Sequence, residues 1–204
     1  MEVPDATGII LAGGYSERFG AENKALAEFQ NHPLIYHVTR EILRATPSVL
    51  INCRADQRSD YTRVLGEFDN SIRFAIDSDP GAGPLYGLET ACDHCETSSV
   101  IVLACDMPLV DSELLAYLLQ SLESDAVIPQ TTDGWRHLTH AAYRVAPLRD
   151  AITQAKRDGK DRLQDLCSYL EFTTLHENHI EQVSDIATLT SIDSRTDLTT
   201  LRQD

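Results

Sequence analysis

Short apolar runs alternate with helix-like patterns along most of the chain. Each run has the length of a buried strand and ends at turn residues; the clearest runs cover residues 7–11, 49–52, 72–76 and 100–105. Between them, apolar residues recur with the spacing of one helix face, as in residues 34–43 after Pro33. Strand and helix therefore alternate, which predicts an α/β fold with a mainly parallel sheet and helices on both faces.

The apolar run at 100–105 is the most continuous one, so we expect it to be a central strand buried on both faces. A turn at 81–84 should open a helix that ends near residue 95. Asp111 has the side chain of an N-cap for a helix over 112–122. Beyond residue 125 the looser pattern predicts strands at 126–129, 138–144 and near Ile192, and helices at 147–157 and 162–170. No linker divides the sequence, so we expect one domain over residues 1–204.

The chain is strongly acidic, with 32 Asp and Glu against 17 Lys and Arg and a net charge of −15. Such a field repels polyanions, so we expect no binding to nucleic acid or to anionic membranes. The apolar runs are far shorter than the roughly 20 residues of a membrane span, and no signal segment opens the sequence. We therefore expect a cytoplasmic protein with no membrane partner, whose five scattered cysteines are reduced thiols.

The strongest candidate for chemistry is the segment that follows the first predicted strand. It reads Leu-Ala-Gly-Gly-Tyr-Ser-Glu-Arg-Phe-Gly over residues 11–20, and Lys24 follows four residues later. Adjacent glycines let the backbone approach a ligand and expose amides that can bind phosphate oxygens. Arg18 and Lys24 add the positive charge that a triphosphate requires. The pattern is neither G-x-G-x-x-G nor a Walker loop, and a structural turn with surface cations is the simpler alternative.

Polar side chains follow the other predicted strands. Asn52 ends the second strand, Asp77 follows the third, and Asp106 follows the apolar run at 100–105. Because ligands of open α/β sheets bind beyond the carboxyl ends of the strands, we expect these three side chains to face the glycine-rich segment. Each of them alone could equally be a turn or cap residue. Asp106 precedes Met-Pro, an extended turn from which a carboxylate can bind Mg²⁺.

Three motifs together resemble the signature of the molybdenum cofactor guanylyltransferases, within the nucleotidyltransferase superfamily. They are the glycine-rich segment with Lys24, Gly-Pro-Leu-Tyr-Gly-Leu at 83–88 and Cys-Asp-Met-Pro at 105–108. The resemblance implies a three-layer α/β/α sandwich with a Rossmann-like, mainly parallel sheet of the nucleotide-diphospho-sugar transferase type. It implies transfer of GMP from GTP to molybdopterin or Mo-molybdopterin, with release of pyrophosphate and Mg²⁺ as cofactor. A molybdoenzyme or insertion protein is a candidate partner.

The resemblance also implies roles for single residues. The residues implied to bind GTP are Leu11, Ala12, Gly13, Gly14, Lys24, Asn52, Asp77 and Asp106. Lys24 and Asp106 are the expected catalytic residues, together with Arg18 for its charge, and Asp106 is the expected metal ligand. Asp193 is a candidate second metal ligand, although the match there is loose and a surface aspartate is an equal alternative. The acceptor phosphate would attack GTP directly, so catalysis would rest on positioning and charge neutralisation.

The segment Trp135-Arg136-His137, with His140, lies where the family's acceptor pterin could dock, and Arg136 could hold its phosphate. The simpler interpretation is a β-hairpin turn with a partly buried tryptophan. Sequence alone does not decide between the two.

Three other functions are compatible with the motifs. A cytidylyltransferase for the same pterin usually carries Leu-Ala-Ala-Gly in the loop, whereas Gly13 leaves room for a purine edge and favours GTP. A guanylyltransferase for another phosphorylated cofactor precursor would differ in its acceptor, and the motif at 83–88 favours the pterin. A non-catalytic adaptor that binds a nucleotide and delivers cofactor would have little need of Lys24 and Asp106 together.

Overall fold

A seven-stranded sheet forms the centre of the protein. The computed structural model describes residues 5–16, 19, 23–79 and 81–201. In chain order the strands are β1 (Ala6–Leu11), β2 (Glu28–Phe29), β3 (His32–Pro33), β4 (Ser48–Cys53), β5 (Ile72–Ile76), β6 (Ser99–Ala104), β7 (Ala126–Gln130), β8 (His140–Arg144) and β9 (Phe172–His176). The sheet order is β5-β4-β1-β6-β8-β7-β9, and β2 pairs with β3 in a separate ribbon.

Helices cover both faces of this sheet. In chain order they are α1 (Leu34–Ala45), α2 (Arg58–Val64), α3 (Pro84–Asp93), α4 (Ser112–Gln120), α5 (Val145–Arg157), α6 (Glu177–Ile180) and α7 (Arg195–Leu201). Apolar residues of α1 and α4 belong to one core cluster, and those of α3 and α5 belong to another. The three-layer α/β/α architecture predicted from the sequence is therefore confirmed.

The direction of the strands also agrees with the prediction. Of the seven strands in the sheet, β8 alone runs antiparallel to its neighbours. The run at 100–105 corresponds to β6, which lies between β1 and β8 and is buried over residues 100–103. Asp111 caps α4 as expected, since its carboxylate accepts a hydrogen bond from the Glu113 N–H at 2.9 Å.

Two predicted elements are different in the structure. No strand occurs near Ile192 in the described residues; this side chain is instead buried beside Phe29 and Leu34. The Ile192 N–H donates one hydrogen bond to the Asp106 carbonyl at 2.9 Å, which fixes the segment without a strand ladder. The helix expected over 162–170 is a 3₁₀-helix at Leu163–Ser168.

The prediction missed the short elements β2, β3, α6 and α7, and also β9 and α2. The strand β9 lies at an edge of the sheet, and most of its side chains are at least partly exposed, so it lacks a continuous apolar pattern. The helix α2 is short, and Tyr61 is its buried residue. Neither β9 nor α2 carries enough apolar residues to stand out from the surrounding polar sequence.

No helix in the described part of the chain has the length and apolarity needed to cross a bilayer. The five cysteines are free thiols, as the sequence indicated. Burial raises the pKa of Cys92 to about 12, which disfavours its reactive thiolate form.

The core contains a histidine, His140, in an unfavourable apolar environment. It lies in β8 opposite Leu103 of β6 and is fully buried. Within the described residues, neither ring nitrogen has a hydrogen-bond partner. Burial lowers the pKa of His140 to about 3, and the nearby His137 contributes in the same direction. The imidazole is therefore neutral in the folded protein at physiological pH.

This buried histidine should make the fold sensitive to mild acid. Because its pKa is lower in the folded than in the unfolded chain, the unfolded chain binds the extra proton as the pH falls below about 6.5. For this group alone, the free energy of unfolding should drop by roughly 2 kcal/mol between pH 7 and pH 5. The variant His140→Leu should lose that part of the pH dependence. Urea unfolding at both pH values measures it, and an equal drop in the variant would contradict the expectation.

Candidate active site

A cavity of about 430 Å³ opens at the edge of the sheet where the parallel strands end. All residues that the sequence resemblance implied for GTP line this one cavity: Leu11, Ala12, Gly13, Gly14, Lys24, Asn52, Asp77 and Asp106. The turn before α3 and the first turn of this helix also line the cavity, through Gly81, Gly83, Pro84 and Gly87. The three sequence motifs thus meet around a single space.

The segment 11–16, which we call the glycine loop, begins at the last residue of β1 and has no regular secondary structure over residues 12–16. Its start is fixed on both sides by the neighbouring strands. The Ala12 N–H donates to the Asn52 carbonyl at 2.9 Å, and the Cys105 N–H donates to the Leu11 carbonyl at 3.2 Å. Its end is connected to Lys24, whose N–H donates to Ser16 Oγ at 3.2 Å. These bonds hold the loop along one wall of the cavity.

Asn52 and Asp77 form a hydrogen-bonded pair in the adjacent wall. Asn52 Nδ2 donates to Asp77 Oδ1 at 2.5 Å and also contacts the Ala75 carbonyl at 3.3 Å. Glycine backbones pack against this pair. A Cβ at Gly13 would overlap Asp77 Oδ2, and a Cβ at Gly87 would overlap Asn52 Oδ1. The absence of a side chain at Gly13 thus allows Asp77 to approach, a role different from the space for a purine edge inferred from the sequence.

Lys24 lies between two carboxylates from distant parts of the chain. Its Nζ donates to Asp106 Oδ2 at 2.6 Å and to Asp193 Oδ1 at 3.2 Å. Burial lowers the pKa of Lys24 and is the largest single influence, but the two carboxylates together outweigh it and raise the pKa above its usual value. Lys24 therefore stays protonated and provides a fixed positive charge in the cavity.

Asp106 has the properties of a cation ligand. Its Oδ2 binds Lys24, whereas its Oδ1 is buried and accepts no hydrogen bond within the described residues. An anionic oxygen that is shielded from water and lacks a donor fits a bound metal ion. Among the described residues, no group of three or more His, Cys, Asp or Glu could hold a metal. The two carboxylates of Asp106 and Asp193 match Mg²⁺, which usually takes one or two from the protein and completes its shell with phosphates and water.

A second cavity of about 270 Å³ lies beside the first. Both cavities are lined by Ala104, Asp106 and Thr139, and the second also by Trp135, Arg136 and His137. Residues 131–136 form a turn, in which Gly134 has a φ of +86°. The Thr131 N–H donates a hydrogen bond to the Trp135 carbonyl across this turn. The expected hairpin turn is therefore present beside a cavity, so the two sequence interpretations are compatible.

Some side chains of this region differ from expectation. Trp135 is 58% exposed, so it is not the partly buried tryptophan that we predicted. His140 is enclosed in the sheet and lines neither cavity, which removes it from the acceptor candidates. Arg136 Nε and His137 Nε2 are buried and without partners in the described residues.

The candidate Arg18 lies outside the described residues. Three further residues of this region were not predicted from the sequence. Tyr15 belongs to the glycine loop, and Arg54 and Tyr61 donate hydrogen bonds to its carbonyls. Arg54 could have been found, because it follows β4 at the same edge as Asn52 and Asp77. Tyr61 lies on the unpredicted helix α2, so no local pattern pointed to it.

The close approach of Gly13 to Asp77 leads to a stability test. Gly13→Ala should displace the Asp77 carboxylate and lower the free energy of unfolding by about 0.5–1.5 kcal/mol, the usual net contribution of a hydrogen bond such as the one from Asn52. Gly14→Ala is the matched control, since in the described part of the chain no atom beyond the two neighbouring residues lies within 4 Å of a Cβ there. Thermal or urea unfolding of the ligand-free proteins measures both. Equal stability of the two variants would show that Asp77 moves away at no cost.

Comparison with known proteins agrees with the geometry. Residues 8–172 match the family model described as the MobA-like NTP transferase domain. The chain is 34% identical to the probable molybdenum cofactor guanylyltransferase of Haloferax mediterranei, over 95% of this chain and 91% of that protein. It is 36% identical to the molybdenum cofactor guanylyltransferase of Pseudomonas putida, over 79% and 81% of the two chains.

A solved structure supports the fold. The molybdopterin-guanine dinucleotide biosynthesis protein A of Archaeoglobus fulgidus superposes with a TM-score of 0.77 over 97% of both chains, at 20% identity. At that identity the likeness concerns the architecture alone, whereas the sequence relatives establish the family. The chain belongs to the MobA-like NTP transferase family, and within it to the molybdenum cofactor guanylyltransferases.

Proposed function

We propose that this chain, acting as a single domain, transfers GMP from GTP to the terminal phosphate of molybdopterin or Mo-molybdopterin and releases pyrophosphate. One observation carries the proposal. The protonated Lys24 and the incompletely bonded Asp106 lie together in the cavity whose wall is the glycine loop. A polyphosphate needs this combination of positive charge, free amides and a carboxylate for a divalent ion.

The nucleoside would bind at the Asn52–Asp77 end of the cavity. The Watson–Crick edge of guanine carries two neighbouring donors, the N1–H and the N2 amino group, and a carboxylate only accepts. Asp77, fixed by Asn52 and by the close Gly13 backbone, suits that edge. On the same edge, cytosine carries an amino donor beside a ring nitrogen that is an acceptor. The lone pair of this nitrogen would repel a carboxylate oxygen. This complementarity favours GTP over CTP.

The chemistry would be direct displacement at the α-phosphate. An oxygen of the acceptor phosphate forms a bond to the α-phosphorus of GTP, the bond to the β-phosphate bridging oxygen breaks, and pyrophosphate leaves with that electron pair. Lys24 would hold phosphate oxygens as a fixed cation and the glycine-loop amides would donate to them. Asp106 and Asp193 would hold Mg²⁺, which, when bound, neutralises charge on the phosphate oxygens. No side chain is needed as a nucleophile.

The acceptor would bind in the second cavity. That cavity shares Asp106 with the nucleotide cavity, so a phosphate placed in it would lie next to the donor site. Arg136, whose Nε is buried without a partner in the described residues, could bind the acceptor phosphate. Trp135 offers an exposed ring on which a pterin could stack.

Pyrophosphate release from each nucleoside triphosphate, with Mg²⁺ and molybdopterin, tests the proposal. Release should occur with GTP and require the acceptor. Preferential turnover of CTP would identify a cytidylyltransferase, and turnover of GTP with a different phosphorylated acceptor would change the second substrate. Binding of GTP without any release would indicate a nucleotide-binding adaptor.

The metal role of Asp106 has its own test. Asp106→Asn keeps the size of the side chain but removes its charge, so turnover should fall about 10²–10³-fold, the range typical for loss of one electrostatic group in an active site. Asp193→Asn should act in the same direction, with a smaller loss. Both variants should also need more Mg²⁺ for half-maximal rate, a shift that a purely structural role would not produce.

Asp111→Asn is the matched control for these variants. It changes a nearby aspartate that caps α4, and asparagine caps a helix equally well. Near-normal turnover and Mg²⁺ dependence in Asp106→Asn would exclude Asp106 as the metal ligand.

A further inference from the structure

The carbonyl groups of Leu11, Ala12, Gly13 and Gly14 accept hydrogen bonds from residues outside the glycine loop. The Leu11 carbonyl accepts from the Cys105 N–H, and the Ala12 carbonyl accepts from Tyr61 Oη at 3.0 Å. The next two carbonyls, of Gly13 and Gly14, both accept from Arg54 Nη1 at 2.9 Å. Four successive peptide groups are therefore oriented by donors outside the loop.

The orientation of a carbonyl determines the orientation of the following amide. The peptide unit is planar and trans, so the C=O of one residue and the N–H of the next point in opposite directions. Arg54 is absent from the residues that line the cavity, whereas Gly13, Gly14 and Tyr15 line it. The N–H groups of Gly14 and Tyr15 therefore point away from Arg54, toward the cavity. Among the described residues, none accepts a hydrogen bond from either group.

The Arg54 guanidinium has further partners besides the two carbonyls. Its Nε donates to Asp56 Oδ1 and its Nη2 to Asp56 Oδ2, both at 3.1 Å. The Tyr15 ring stacks on it, with 4.4 Å between the guanidinium carbon and the ring centroid. The Tyr15 ring also lies close to the backbone of Gly81, where a Cβ would be 3.2 Å from a ring carbon. A lysine could not reproduce this set of contacts, because its single ammonium cannot bind two carbonyls and Asp56 in one plane.

We propose that Arg54 is a positioning residue of the glycine loop, which directs the amides of Gly14 and Tyr15 toward the polyphosphate of the nucleotide. The inference rests on the function proposed above. It assigns to Arg54 no contact with the substrate. Loss of the guanidinium would leave the Asn52–Asp77 pair intact but would let the two peptide groups rotate, so that their N–H groups no longer converge.

Binding of GTP and of guanosine to Arg54→Ala separates positioning from general damage. GTP affinity should fall roughly 10- to 100-fold, as expected for the loss of one or two hydrogen bonds to a charged group. Guanosine affinity should change less than about twofold, because guanosine has no phosphate for the Gly14 and Tyr15 amides to bind. Free guanidinium ion, but not ammonium ion, should partly restore GTP binding. Amide exchange of the glycine loop should be faster in the ligand-free variant.

Arg63→Ala is the matched control, because Arg63 is an exposed arginine of α2 that pairs with Asp60. It should bind both ligands normally. If Arg54→Ala does not fold, Arg54→Lys and Asp56→Asn provide the same comparison, with smaller selective losses of GTP affinity expected. Equal losses for GTP and guanosine, or unchanged GTP affinity, would overturn the role of Arg54. Failure of the wild-type protein to bind GTP would instead refute the proposed function, and this inference with it.

Discussion

The register of β1 between its parallel neighbours is the constraint on which the site depends. Leu11 lies opposite Asn52 of β4 on one side and Ala104 of β6 on the other, and Asn52 in turn lies opposite Ala75 of β5. These four residues form one row across the sheet. The residues two positions further along each chain segment are Gly13, Arg54, Asp106 and Asp77. A shift of β1 by one residue would separate the glycine loop from all of its partners.

This arrangement explains how a strongly acidic chain can bind a polyanion. The net charge is −15, yet the cavity contains the protonated Lys24, and Arg54 orients peptide amides toward it. At physiological ionic strength the Debye length is about 8 Å, so exposed carboxylates farther away are largely screened. Local groups then decide the potential inside the cavity. The Asp106 carboxylate opposes phosphate by itself, and it becomes favourable only when a divalent cation lies between them.

The elements that could be predicted are those whose pattern of apolar residues along the sequence matches their burial in the fold. The run at 100–105 is apolar because β6 is covered on both faces, and Asp111 caps α4 through contacts two residues away. The Lys24–Asp193 pair joins residues 169 positions apart, so no local pattern could reveal it. Tyr61 contacts the glycine loop from a helix with little apolar surface. Such contacts depend on topology, which sequence periodicity describes only coarsely.

The reversed direction of β8 has a consequence for the second cavity, the proposed acceptor site. Because β8 is antiparallel to β6, its amino end lies at the edge where the parallel strands have their carboxyl ends. The segment before β8, including the turn at 131–136 and Thr139, is thereby brought beside Asp106. A parallel strand in this place would have put that segment at the far end of the sheet. One reversed strand therefore places a second cavity against the nucleotide cavity, and Asp106 is the carboxylate that borders both.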